Sequence, residues 1–196
     1  MNIVVASLKG GVGKTTTAVY LAAAAASLGR GAVTLVDADR QASAAEWLES
    51  CPMEGVDVLE APSERTVTRA ATRGGEFTIV DTPPGDERIT RAAVALAQVV
   101  VVPTRAAGVE YRPAGDTLAL VGGRTPAGVI VSAARLGTND LDEAIAWWEE
   151  QRVPLWGVIP ERVAIAAGPE ARLSRDGLDH YAEVLETLRR AAKRRR

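Results

Sequence analysis

Leu8-Lys9-Gly10-Gly11-Val12-Gly13-Lys14-Thr15-Thr16 concentrates three glycines, two ammonium groups and two hydroxyls in one short run. The glycines let successive backbone N–H groups turn inward onto anionic oxygens, and a helix starting at the end of the run adds the partial positive charge of its N-terminus. In such a loop Lys14 reaches the β- and γ-phosphates of a nucleotide, and the Thr15 hydroxyl ligates Mg²⁺. The strict phosphate-loop pattern has glycine where this chain has Leu8. A glycine-rich turn joining a strand to a helix is the plainer alternative. Cation usage favours the phosphate reading: of 23 basic residues only Lys9, Lys14 and Lys193 are lysines. A compact ammonium fits as a point charge inside a ring of amides, where a wide guanidinium fork does not. Lys9 is surplus to a conventional phosphate loop; its bland reading is a solvated loop lysine.

Three carboxylates stand in suggestive positions. Asp37 and Asp39 follow an apolar run in VDADRQAS, and Asp81 ends another in FTIVDTPPG. Acids just past strand ends face a phosphate loop, where they hold the waters around Mg²⁺ or position an attacking water. Asp39 also precedes a helical pattern, so helix capping is its alternative role. His180 is the single histidine and Cys51 the single cysteine. That leaves no metal cluster, no Ser-His-Asp arrangement and no internal disulfide, and it points to a reducing, cytosolic home.

The elements that must position these groups alternate along the chain. Apolar strand patterns at 2–8, 32–37, 77–81, 99–103, 128–132 and 155–159 are followed by helical patterns near 15–28, 41–50, 87–97, 113–122, 140–151 and 177–192. Unbroken apolar strands alternating with helices predict an α/β fold with a mostly parallel sheet covered on both faces. Ligands on such sheets bind beyond the carboxyl ends of the strands. The 196 residues suit one domain, and 47% hydrophobic with 24% charged residues is a globular balance. With aromatics at 4%, aliphatic side chains must carry the core. The apolar runs 18–26 and 92–102 are too short to span a bilayer, and no secretory leader is expected. In the last helix Leu178, Tyr181, Leu185, Leu188 and Ala192 form one apolar face for docking on the sheet. Trp147 and Trp148 read as packing residues. The expected organisation is one domain over 1–188 and a basic tail over 189–196.

KGGVGKTT resembles the deviant Walker A motif of the ParA/MinD family of P-loop ATPases, most nearly the small ParA-type partition proteins. VDADRQ is similar to that family's DxDPQ segment, with Arg40 in place of its proline, and IVDTPPG is similar to its Walker B and switch II region. The resemblance implies a three-layer P-loop NTPase sandwich. It implies that Lys9, Gly10, Gly11, Val12, Gly13, Lys14, Thr15 and Thr16 hold the nucleotide, with the Gly85 amide on the γ-phosphate. Asp37 and Asp81 would join Thr15 in supporting the metal, and Asp39 would orient the hydrolytic water. Lys9 would cross to the nucleotide of a second copy, giving an ATP-dependent homodimer. The N-K-x-D signature of guanine-specific proteins is absent, which favours ATP over GTP. Ser132 stands near the place of the family's adenine-contacting asparagine. IPERVAI (159–165) is similar to the family's loop after the sixth strand, so the base would be held by backbone groups around Pro160 and Glu161.

Residues 189–196 contain six basic residues and no acid, against 17 basic and 25 acidic residues elsewhere. Cations at a helix C-terminus complement its dipole, which is the plain reading of Arg189 and Arg190. Six charges exceed that need, so non-specific DNA is the expected partner of Arg189, Arg190, Lys193, Arg194, Arg195 and Arg196. Membrane attachment, as in MinD-like proteins, ranks lower because bulky apolar side chains are missing from the end. The expectation is a slow Mg²⁺-dependent ATPase, cytoplasmic and nucleoid-associated. A ParB-like or other cargo adaptor would stimulate it, and it would position a plasmid, chromosome or other cargo. The competing classes are a P-loop small-molecule ligase or kinase and a nucleotide-gated binder without hydrolysis.

Overall fold

The computed structural model describes the chain except residues 30, 167, 169–171, 195 and 196. Its elements are β1 (Asn2–Val5), α1 (Lys14–Ser27), β2 (Val33–Asp37), α2 (Ser43–Ser50), β3 (Val56–Glu60), α3 (Glu64–Arg73), β4 (Phe77–Asp81) and α4 (Glu87–Val94). They continue with β5 (Val99–Thr104), α5 (Gly108–Val121), β6 (Ala127–Ala134), α6 (Asn139–Glu150), β7 (Leu155–Pro160), α7 (Val163–Ala166) and α8 (Arg175–Lys193). The strands form one sheet in the order β3-β2-β4-β1-β5-β6-β7, and every pairing is parallel. β1 is therefore central, and the loop that leaves it opens at the middle of the edge where all strands end.

Strand periodicity divides the core into two layers. Ile3, Val5, Leu35, Ile79, Val99 and Val101 point to the face covered by α1, α2 and α8. Val4, Val36, Val80, Val100 and Val102 point to the opposite face, under α3, α4, α5 and α6. Successive residues alternate between faces, so a strand buried on both sides must be apolar throughout. The sequence of β5, VVVVPT, with every residue buried, follows from this.

The structure contains one strand, β3, and two helices, α3 and the single turn α7, that the alternating pattern does not predict. β3, VDVLE, lies at the sheet edge and is largely exposed, so its sequence is half polar. α3, ERTVTRAATR, buries only Val67, Ala70 and Ala71, and a capping box between Ser63 and Thr66 starts it. Asp81 thus ends the fourth strand rather than the third, GVIVSAA lies within the sixth, and IPERVAI begins at the end of the seventh. The first strand also stops at Val5, and Ala6 to Leu8 already belong to the loop approach. α8 keeps its expected apolar face, with Tyr181, Val184, Leu185 and Leu188 buried. Its Gly177 is pressed against Tyr20 of α1: a Cβ there would lie 2.5 Å from the Tyr20 ring. Residues 189–193 continue α8 to Lys193. Trp148 is buried, and Trp147 stacks on Tyr111 with ring centroids 4.8 Å apart. Among the described residues no helix is long and apolar enough to cross a membrane.

Candidate functional site

The run from Leu8 to Thr16 lies between β1 and α1. Gly11 (φ 75°) and Gly13 (φ 89°) adopt left-handed backbone that side chains resist, and Gly13 is the N-cap of α1. Neighbouring segments fix the loop from outside. Ser132 Oγ, at the end of β6, shares its proton between Val12 O at 2.7 Å and Thr104 O at 2.9 Å. Thr117 Oγ1 of α5 accepts the Leu8 N–H at 3.1 Å. Pro84, in the β4–α4 loop, lies 3.9 Å from where a Gly10 Cβ would stand. That loop carries Gly85, also left-handed (φ 71°), past the glycine run. Ser132 is therefore a buried support of the loop, with its hydroxyl committed to main-chain carbonyls.

Lys14 is the first residue of α1 and is buried, its Nζ donating to Lys9 O at 3.0 Å. Burial pulls its pKa down from the usual lysine value, while the charges of Asp81 and Asp39 pull it back up. An ammonium held out of water beside acceptors is primed to take a stronger anion. Thr15 Oγ1 donates to Asp81 Oδ2 at 2.8 Å. Asp81 Oδ1 is buried and has no hydrogen-bond partner among the described residues. Burial raises the Asp81 pKa to about 7; the Thr15 bond and the Lys14 charge oppose that rise, and the Asp37 and Asp39 charges add to it. An orphaned carboxylate oxygen beside a threonine hydroxyl suits a hard cation such as Mg²⁺, which favours oxygen ligands.

Asp37 takes the helix-capping role considered above for Asp39. Its Oδ2 accepts the N–H groups of Ala44 and Ala45 at 2.8 and 3.0 Å, and its Oδ1 accepts that of Asp39 at 3.0 Å. Burial raises its pKa, and these bonds only moderate the rise. Asp39 is half-exposed, and its Oδ1 accepts the Gln41 N–H at 3.0 Å, so its carboxylate stays near the loop mouth.

Beside the glycine loop lies a cavity of about 150 Å³ lined by Gly13, Thr16, Ala133, Pro160, Glu161 and Tyr181, among others. It is smaller than the roughly 300 Å³ of a typical whole-ligand pocket, so it suits a base or sugar ring beside a solvent-facing phosphate chain. Ala133 lines it in a left-handed conformation (φ 48°), at a register shift between β6 and β7. Strained backbone of this kind concentrates at ligand sites. Glu161 is held by Arg135 at 2.8 Å. Tyr181 closes the floor, 3.2 Å from Thr17 Oγ1.

Lys9 bends back onto its own chain: its Nζ is 2.7 Å from Glu110 Oε1 in the first turn of α5. On the same sheet edge Val109, Leu136 and Val163 are 76%, 58% and 90% exposed. The arginine-rich turn is elsewhere. Arg189, Ala192 and Lys193 line a hollow with Met1, Phe77 and Gln98, at the edge where strands begin. Arg189 pairs with Glu186, whereas Arg190, Lys193 and Arg194 are exposed. Arg195 and Arg196 lie outside the described residues.

Residues 3–174 match the family described as the CobQ/CobB/MinD/ParA nucleotide binding domain. The chain is 46% identical over 99 residues to the maintenance of carboxysome distribution protein A of Gloeobacter kilaueensis, covering 49% of this chain and 45% of that one. It is 36% identical over 137 residues to the chromosome-partitioning ATPase Soj of Thermus thermophilus, covering 54% and 55%. The chain spans about half the length of these curated relatives. In fold it is similar to the cell division ATPase MinD of Pyrococcus furiosus, with TM-score 0.78, 20% identity and coverage of 96% and 98%. The septum site-determining protein MinD of Pyrococcus horikoshii, complexed with Mg-ADP, gives 0.76 at 21% identity, covering 94% and 93%. The fold is thus that of a P-loop NTPase.

Proposed function

This chain belongs to the CobQ/CobB/MinD/ParA nucleotide-binding family, and on that premise we propose that it is a Mg²⁺-dependent ATPase of the partition type. It dimerises on ATP, binds DNA without sequence preference and releases it after hydrolysis, so that nucleotide state becomes location for a plasmid, chromosome or other cargo. The observation that carries the reading is the trio of buried Lys14, half-buried Thr15 and buried Asp81 at the mouth of a left-handed glycine loop, with one Asp81 oxygen unpartnered among the described residues.

In this reading the loop amides from Gly10 to Thr16 bind the phosphates, and Lys14 exchanges the Lys9 carbonyl for phosphate oxygens. Thr15 and Asp81 would hold Mg²⁺, and the ion would supply positive charge against the phosphates. Asp37, pinned by three N–H groups, adds negative charge behind them and fixes the turn that carries Asp39. Asp39 orients the attacking water, and the Gly85 N–H meets the γ-phosphate. Pro160 and Glu161 border the base. A site with one half-exposed aspartate and few other acid–base groups turns over slowly alone, and a ParB-like or other cargo adaptor raises its rate. Exposed Val109, Leu136 and Val163, at the same sheet edge as Lys9, supply the apolar part of a face for a second copy. Arg190, Lys193 and Arg194 supply the DNA charge, with Arg189, Arg195 and Arg196 adding to it. The protein would act in the cytoplasm, on the nucleoid.

The deciding measurement is the ATPase rate with and without duplex DNA, alongside sedimentation in ATP and ADP. DNA-stimulated turnover with an ATP-specific dimer supports partition. Turnover that depends on a small acceptor instead means a ligase or kinase, and ATP binding without turnover means a gated binder.

A further inference from the structure

Two residues of α5 grip the start of the phosphate loop. Thr117 accepts the Leu8 N–H at 3.1 Å, and Glu110 holds Lys9 Nζ at 2.7 Å. Seven residues apart, they share one face of the helix, so one side of α5 runs along Leu8 and Lys9. The two grips differ in kind. Thr117 is fully buried and also donates to Pro113 O at 2.8 Å, which locks it to the helix. Glu110 sits in the first turn, ahead of Pro113, whose nitrogen has no proton to offer the Val109 carbonyl.

The Glu110 side chain is only 11% exposed, and its Oε2 is buried without a hydrogen-bond partner among the described residues. Removing the Lys9 ammonium would leave a buried negative charge uncompensated, which is strongly unfavourable. Lys9 itself is 36% exposed on a long unbranched stem, at the edge a second copy would approach. It can leave; Glu110 cannot follow it into water.

We propose that Glu110 is a positioning residue that berths Lys9 on its own chain, and that this pair sets the threshold for ATP-driven dimerisation. The inference rests on the reading of Lys9 as a contact to the partner's nucleotide. A carboxylate presents one negative charge and a triphosphate several, so Lys9 transfers only when the approaching copy is loaded. An unloaded copy offers nothing that outcompetes Glu110.

The test is the dimer dissociation constant of the full chain in ATP, by sedimentation, in an Asp39→Ala background that slows hydrolysis. Glu110→Gln should tighten the dimer about fivefold or more, and adding Lys9→Ala to it should abolish the dimer. Glu110→Asp, shorter by one methylene, should shift it in the same direction and serves if the glutamine variant fails to fold. An unchanged or weaker Glu110→Gln dimer, with Lys9→Ala still unable to dimerise, overturns the berth and leaves the reading of Lys9 standing. Wild-type dimerisation by Lys9→Ala overturns that reading and the berth with it.

Discussion

Where the strands end, Lys14, Thr15, Asp37 and Asp81 are packed into the protein and tied to named atoms, and a single oxygen of Asp81 is left over. Where the strands begin, the last turn of α8 presents Arg190, Lys193 and Arg194 to solvent, and Arg189 is engaged locally by Glu186. The first region is specified by geometry and the second by the sum of its charges. One substitution should therefore disable the first and barely change the second.

The largest contrast is expected at Lys14. Lys14→Ala removes a desolvated ammonium, and ATP affinity should fall about a thousandfold, read by titration with a fluorescent nucleotide. Near-normal affinity would mean that the ordered edge is no phosphate site.

Asp81 probes the same edge through pH. Its folded pKa of about 7 lies above the ordinary carboxylate value of 3.8, chiefly through burial. The native chain keeps a proton there that the unfolded chain has released. Stability of the nucleotide-free protein should therefore fall as pH rises from about 4 to about 7, by up to about 4 kcal/mol. Urea unfolding at several pH values would show this slope, and Asp81→Asn should flatten it. An unchanged slope in that variant would assign the proton to another group.

Asp39→Ala should leave ATP binding in place while lowering turnover about a hundredfold and accumulating the ATP-bound dimer. Single-turnover hydrolysis at wild-type rate would remove Asp39 from water positioning. At the opposite edge, Arg190→Ala should weaken DNA binding only a few-fold and reduce the slope of log affinity against log salt by about 0.9. A loss as steep as that of Lys14→Ala would show that this turn, too, acts through defined geometry.

The two edges were also legible to different degrees. The glycine run, the aspartates at strand ends and the helical stripe of α8 announce themselves because the constraint on each is local: a turn, a strand end, a helical period. β3 escaped because an edge strand is wet on one side and its VDVLE pattern mixes both faces. Ser63, as the cap of α3, was the signal that could have found its neighbour. The pairing of Lys9 with Glu110 was invisible, since 101 residues separate them and only the sheet order brings α5 beside the loop. The same holds for Ser132, whose hydroxyl spans 120 residues to reach Val12. A metal role for Asp37 is what a strand-end acid predicts, and nothing local reveals that α2 also turns its N-terminus onto the same carboxylate.

α8 runs from the floor of the cavity beside the glycine loop, at Tyr181, to the arginine turn at the far rim of the sheet. At 1.5 Å per residue the stretch from Tyr181 to Lys193 spans about 18 Å. Two copies meeting through their glycine loops would hold these rims outward, like the prongs of a double-ended clamp. Pairing would then raise valency rather than complete a single groove, and one particle could tether two separate duplexes. Co-capture of a labelled duplex on an immobilised one, in ATP and absent in ADP, would reveal such tethering.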